Sequence, residues 1–476
     1  MINRREQRRQ TLSRAELIES HGIDHIPEAQ RRGTPRHQFY VWFAVNMNPI
    51  TIVVGALAAA AGLGWTTTIL VFLVANVAGV AGVGMAAALG PKLGMPQMTA
   101  GRATFGISGN RLPSAAASLL FIGYFATTAI LAAETVRALW NIPAWPVIVA
   151  IGVISIVLTI SGYDTVHRME KWLTWASIAV FAALTGFALT NYPHHADISA
   201  ATGSRFVPAL LLVFGAIFSY AVGWSAYASD YSRYLPSRTA VRQTAVYSAL
   251  GLFAAMVWME LLGYGIGRLS LGDDVTHGVK VLAPTAMADI VFVTVILICI
   301  AGCVMNAYSG VMSAIAWGLP LGRKSATMLF GVAGTVLALV FSGPRFEPAL
   351  EKFLYLVVYF ITPWLSLVLL NWLLRSRRCG GFPGLNVFYD ANGELGGVKW
   401  PGIVALVVGI GVSVPFMATS LYTGPVGRAL DGADISYVIS AIVAAAIYFP
   451  ICGLRPAPGA GQRDAAGVVA AQTSER

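Results

Sequence analysis

The chain has 476 residues, 56% of them hydrophobic and only 11% charged, with a formal net charge of +10. Soluble domains carry about 25% charged residues, so the composition excludes an ordinary soluble domain and predicts an all-α polytopic membrane protein. The positive charge is then assigned to membrane topology, with the lipid bilayer as its partner and no nucleic acid.

Apolar runs near the ~20 residues that cross a bilayer fall at 38–61, 66–89, 113–138, 146–162, 171–190, 207–229, 243–266, 288–318, 325–342, 353–374, 401–421 and 436–452. They predict about twelve transmembrane helices in a single domain at 37–452, between a cytosolic N-terminal tail (1–36) and a cytosolic C-terminal tail (453–476). Placing both termini in the cytoplasm puts 25 of the 32 Lys and Arg residues on the inner side, as the positive-inside rule requires. Residues 1–36 hold eight arginines and are too polar for a secretory signal. The four cysteines imply no disulfide framework.

The first span carries W-F-A-V-N-M-N-P, residues 42–49. Pro49 has no N–H and crowds the carbonyl four residues back, at Val45, which predicts a break and a carbonyl open to a cation, a ligand or water. Asn46 and Asn48 sit beside it, and a carboxamide offers both donor and acceptor to a heterocycle edge. Positions two apart point to roughly opposite faces, so only one should meet a ligand, and Asn46 is favoured. The connection at 90–112 is glycine-rich and basic, predicting a short surface helix flanked by turns. The third span contains F-I-G-Y-F-A-T-T, with Tyr124 and Thr128 one turn apart, and ends in Glu134 and Arg137, an i,i+3 ion pair. His194, His195 and Asp197 share an outer loop without completing a metal ligand set.

The sixth span reads F-S-Y-A-V-G-W-S-A-Y-A-S-D-Y-S-R-Y-L-P from Phe218. Loosening at Ser219 to Gly223 is tolerable in a membrane only where freed backbone faces protein, water or a ligand. Tyr220 and Trp224, at i,i+4, can flank a flat guest there, and Asp230 with Arg233 closes the inner end as a structural or gating pair. Either break alone could be a packing kink. Paired breaks at the start of two five-helix units, about 37–190 and 207–374, point to a transporter's midplane site. That reading makes the second unit an inverted repeat, discontinuous helices 1 and 6, and helices 11 and 12 (about 401–452) an appendix. Glu260 lies inside the seventh span, where an unpaired charge costs about 2.5–3.5 kcal/mol. The eighth contains C-V-M-N-A-Y-S-G around Asn306 and Gly310.

The segment G-W-S-A-Y-A-S-D-Y-S-R-Y-L-P closely resembles the helix 6 signature of the purine-cytosine permease family, the nucleobase:cation symporters. Spans 1, 3 and 8 and the stretch M-T-A-G-R-A-T-F-G-I-S-G-N-R-L-P resemble it too. The resemblance implies that Tyr124 takes the aromatic place against a base and Thr128 the place of an amide. It leaves two registers for the second stacking partner, Tyr220 or Trp224, and puts Asn306 on the substrate. Sodium-coupled members carry a Ser-Thr pair before that asparagine, whereas this chain has Val304 and Met305. Hard cations want oxygen ligands, so a proton is favoured over sodium as the co-transported cation, with Glu260 the candidate carrier. A second family asparagine is replaced by Gly310, which is expected to enlarge the cavity. The family further implies that helices 1, 2, 6 and 7 rock against 3, 4, 8 and 9, importing a small neutral heterocycle, cytosine or a purine, across the plasma membrane. A hydantoin, allantoin or thiamine permease, or a non-transporting base sensor, is the alternative. No cofactor and no enzymatic activity are implied.

Overall fold

The structure, a computed structural model, describes residues 22–161, 163–191, 201–270, 275–343, 346–378, 384–419 and 422–453. Most of both tails and the loop residues His194, His195 and Asp197 lie outside these. The principal helices are α1 (Arg36–Asn46), α2 (Pro49–Ala60), α3 (Trp65–Ala87), α4 (Arg111–Trp140), α5 (Ala144–Ser161) and α6 (Tyr163–Asn191). They continue with α7 (Phe206–Gly223), α8 (Ala228–Ser232), α9 (Val241–Ser270), α10 (Val275–Leu282), α11 (Thr285–Trp317) and α12 (Arg323–Phe341). Last come α13 (Phe346–Arg378), α14 (Trp400–Ser413) and α15 (Ser436–Gly453).

Among the described residues, nine helices are long and apolar enough to cross a membrane, ten if the bent pair α1–α2 forms one span. Trp400–Phe416 and Ser436–Cys452 are apolar but shorter. The only β-type pairing among these residues is an isolated bridge between Ala418 and Thr423. The molecule is thus a multi-pass, helical membrane protein.

The α1–α2 bend of 63° follows from local chemistry. Asn48 is extended (φ −120°, ψ 161°) and its Oδ1 accepts the Thr51 N–H at 3.2 Å, an N-cap. Pro49 occupies the first helical position, where its missing N–H costs nothing. The second break differs from expectation. Residues 219–223 remain α-helical, and the irregularity is a 3₁₀ turn at Trp224–Tyr227 that leads into α8. Its backbone stays bonded: the Ala228 N–H donates to Ser225 O, so the chain tightens instead of unwinding.

Small residues set the closest packing. The α2 and α9 backbones approach so nearly that a Cβ on Gly55 would lie 2.1 Å from Glu260 O, and one on Gly263 2.0 Å from Ile52 O. Helix α9 also packs on α1 and α3, α3 on α7, and α4 on α11, α12 and α5. Helices α13, α14 and α15 pack on one another.

The connection expected to lie on the surface is instead inserted into the protein. Its single-turn helices Leu89–Leu93, Gln97–Ala100 and Arg102–Phe105 are buried except for Lys92. Some of its polar groups find internal partners: Ser229 Oγ donates to Gln97 Oε1 at 2.6 Å and Arg102 donates to Phe388 O at 2.9 Å. Glu134 and Arg137 form the expected i,i+3 pair at 3.1 Å.

Candidate functional site

One cavity lies where the two irregular segments meet α4 and α11. Val45, Asn48, Pro49 and Ile50 line it from the first break, Tyr220, Gly223, Trp224 and Tyr227 from the second. Tyr124, Thr128 and Leu131 of α4 and Ile298, Cys299, Gly302 and Asn306 of α11 complete the wall.

Polar bonds tie the two segments together. Asn48 Nδ2 donates to Val45 O at 2.6 Å and to the Tyr220 hydroxyl at 3.0 Å. The Thr51 hydroxyl lies 2.9 Å from the same Tyr220 oxygen and donates to Asn46 O at 2.9 Å. The Val45 carbonyl expected to be open therefore already accepts the Asn48 amide. Asn46, the favoured asparagine, is fully buried off the cavity, with Nδ2 on Trp42 O at 2.9 Å. The correction has a simple cause: Asn48 is drawn to the gap because it caps α2, and Asn46, on the last turn of α1, turns the other way.

The aromatic wall centres on Trp224. Its ring meets Tyr220 edge-on (6.3 Å, 79°) and Trp42 edge-on (6.0 Å, 76°), and leans on Tyr227 at 4.9 Å. Tyr124 packs edge-on against Phe353 at 5.0 Å. A Cβ on Gly223 would sit 2.9 Å from the Tyr124 hydroxyl, so this glycine leaves room for that ring.

Two side chains are oriented by neighbours. Tyr227 donates to Asn306 Oδ1 at 2.5 Å, which leaves the Asn306 N–H₂ as the group it can offer a ligand. Thr128 donates to Tyr124 O at 2.7 Å, leaving its oxygen lone pairs to accept. The cavity thus offers ring faces, the Asn306 amide as a donor and the Thr128 hydroxyl as an acceptor, beside Asn48 and three tyrosines.

Gly310 does not open this space. A Cβ there would strike the Phe330 ring at 2.1 Å and lie 3.0 Å from the Phe121 Cβ, so the volume of the missing side chain is filled chiefly by the Phe330 ring. Val304 and Met305 are buried, 0% and 1% exposed. Glu260 is buried away from the wall, with Oε2 accepting from Asn76 Nδ2 at 2.5 Å. Asp230 Oδ1 accepts the Gln97 N–H at 2.8 Å. Arg233 donates to Gly22 O and to the Tyr308 hydroxyl, each at 2.9 Å. Both sit at the end of α8, fastening the inserted connection and the segment after residue 21. Sequence reasoning missed Tyr227, Thr51, Cys299 and Gly302. Thr51 could have been found, since an asparagine three residues before a threonine at a proline break is a capping pattern.

Comparison with known proteins agrees with this architecture. The family described as permeases for cytosine/purines, uracil, thiamine and allantoin matches residues 25–440. The chain is 31% identical to YxlA of Bacillus subtilis (strain 168), whose name places it with the purine-cytosine permeases, over 94% of this chain and 98% of that one. It is 26% identical to the purine-cytosine permease fcyB of Emericella nidulans, over 93% and 89% of the two chains. Among solved structures, Mhp1, a nucleobase-cation-symport-1 family transporter in a closed conformation with bromovinylhydantoin bound, shares the fold. The TM-score is 0.72 at 18% identity, covering 91% of this chain and 95% of that one. A Na⁺-coupled sialic acid symporter shares it more distantly, at TM-score 0.60 and 11% identity, over 94% of each chain. The protein therefore belongs to the family of permeases for cytosine/purines, uracil, thiamine and allantoin.

Proposed function

We propose that this permease imports a small, neutral, flat heterocycle, cytosine or a purine base, across the plasma membrane by alternating access. The observation that carries the reading is the cavity between the two irregular segments, walled by Trp224, Tyr220, Tyr227 and Tyr124 and offering the amide of Asn306 and the hydroxyl of Thr128. Stacking on an aromatic face is worth about 1–3 kcal/mol per base, enough to dominate affinity for an uncharged ring. The relatives' names, purine-cytosine permease, point the same way.

Of the two stacking registers, the bonds favour Trp224 as the platform. Tyr220 is held by Asn48 and Thr51 and acts as the brace between the segments. Asn48 fixes the first break and Asn306 reads the ring edge. Gly223 keeps the gap clear, and Gly310 serves packing. The hydantoin reading remains the second choice, favoured by Thr128, whose hydroxyl makes fewer contacts than a carboxamide.

The same reading takes the chain as twelve spans at 37–452, with an inverted five-plus-five repeat and both termini cytoplasmic. It takes a proton, not sodium, as the co-transported cation. Supporting this, Val304 and Met305 supply no side-chain oxygen, and the Val45 carbonyl is already engaged. Asp230 and Arg233 act at the inner gate.

The test is uptake of labelled cytosine and hypoxanthine into vesicles of purified protein, with a competition panel of bases, hydantoin, allantoin and thiamine. Uptake that follows an inward proton gradient and ignores sodium supports the proposal. Binding without uptake would indicate a sensor, and displacement by hydantoin alone would shift the substrate class.

A further inference from the structure

We propose that Glu260 carries the co-transported proton, held by Asn76 and linked to the cavity through α2; the inference rests on the transport reading above. Glu260 lies in α9 with none of its surface exposed, and only one of its oxygens is bonded. The other, Oε1, is buried with no hydrogen-bond partner. A carboxyl in hydrocarbon surroundings is retained where it serves a proton or ion pathway, because an unpaired charge there is costly.

Among the described residues, no cation is bonded to it. Helices α2 and α3, which pack on α9, contain no ionisable side chain. The ionisable groups on the other neighbours are Arg36, His37 and Tyr40 at the start of α1, His277 and Lys280 of α10, and those at 163–171, at the start of α6. Along α9 itself come Arg242, Tyr247, Tyr264 and Arg268. Tyr264 is spent on Leu63 O, and Arg268 donates to the Tyr264 hydroxyl at 3.1 Å.

The link to the cavity runs through α2. The Tyr220 hydroxyl on the cavity wall is bonded by Asn48 and Thr51 at the first break. Helix α2, which starts at that break, packs backbone to backbone on Glu260 at Gly55. A change of charge at Glu260 is therefore felt by the same elements that border the substrate. The step is a simple proton transfer. An O–H bond forms on the carboxylate with a proton from one side of the membrane and breaks to deliver it to the other, with no change of oxidation state.

The experiment uses full-length protein in vesicles with a trapped pH dye and labelled cytosine. Wild-type protein that neither binds nor moves any base of the panel would refute the transport reading itself. Given wild-type uptake, Glu260→Gln is expected to keep base binding and base-for-base exchange while losing gradient-driven accumulation at least tenfold. It should also lose cytosine-induced proton entry and the pH dependence of initial rate. A Glu260→Gln protein that still accumulates base with wild-type proton entry overturns the proposal. Should that variant fail to assemble, Asn76→Ala carries the test, because it leaves the carboxyl without its partner. It is expected to shift the pH midpoint of uptake, and an unchanged midpoint overturns the proposal.

Discussion

The two irregular segments that border the cavity are built by opposite means. At the first, α1 stops and α2 starts at 63° because Pro49 cannot donate and Asn48 supplies the missing acceptor to Thr51. At the second, no proline intervenes, and the chain passes through a 3₁₀ turn whose N–H groups stay bonded. There the shape is fixed by rings: Trp224 against Trp42, Tyr220 and Tyr227, and Phe121 edge-on to Tyr227 at 4.4 Å. One segment is specified by its own few residues and the other by what packs around it. Only the first can therefore be broken by changing a cap, and only the second by removing a ring.

The largest expected effect comes from the ring side. Trp224→Ala should weaken base binding by about 1–3 kcal/mol, roughly 5- to 150-fold, through loss of the stacking face. Unchanged affinity in a folded variant would move that role to Tyr220. Gly310→Ala should destabilise by about 1–3 kcal/mol, since its Cβ overpacks Phe330, yet leave base affinity as in wild type. A selective loss of affinity would put residue 310 back on the cavity. Asn48→Ala should cost about 0.5–2 kcal/mol of stability as a lost cap, read as a lower unfolding midpoint in detergent. The matching change at the second segment, Ser225→Ala, removes a hydroxyl that donates to Val222 O at 2.7 Å and should cost less. Equal losses would erase the contrast between the segments. Tyr227→Phe should weaken binding by about 0.5–1.5 kcal/mol, by freeing the Asn306 amide to rotate. Its signature is an altered rank order among competing bases.

This contrast also explains what could be read from the chain. The first break was legible because proline and an asparagine cap act within four residues. The second was placed at Ser219 to Gly223, one turn early, because glycine and small residues permit loosening but do not require it. The 3₁₀ turn at Trp224 depends on rings from α1 and α4, which no local pattern contains. Helical periodicity makes Asn46 and Asn48 alternatives but does not choose between them, and it lapses at Asn46, where α1 ends. Gly310 was read as space, since sequence cannot reveal that Phe330, twenty residues on, fills it. The nine membrane-long helices among the described residues, and the bent pair α1–α2, coincide with runs that hydropathy alone picks out. The burial of residues 89–106 is not legible in the sequence, because their glycines and basic residues have the composition of a surface loop, and their partners are distant in sequence, Ser229 and Asp230 of α8 for Gln97 and Phe388 O for Arg102.

The account rests on a flat ring lying against Trp224 between the two segments. The most direct measurement is competition for the cavity of purified protein between each planar base and its 5,6-dihydro counterpart, which keeps the polar edge but loses the aromatic plane. Planar bases are expected to displace labelled ligand at concentrations about tenfold or more lower, the stacking contribution expressed as affinity. Equal potency of planar and puckered rings would contradict it.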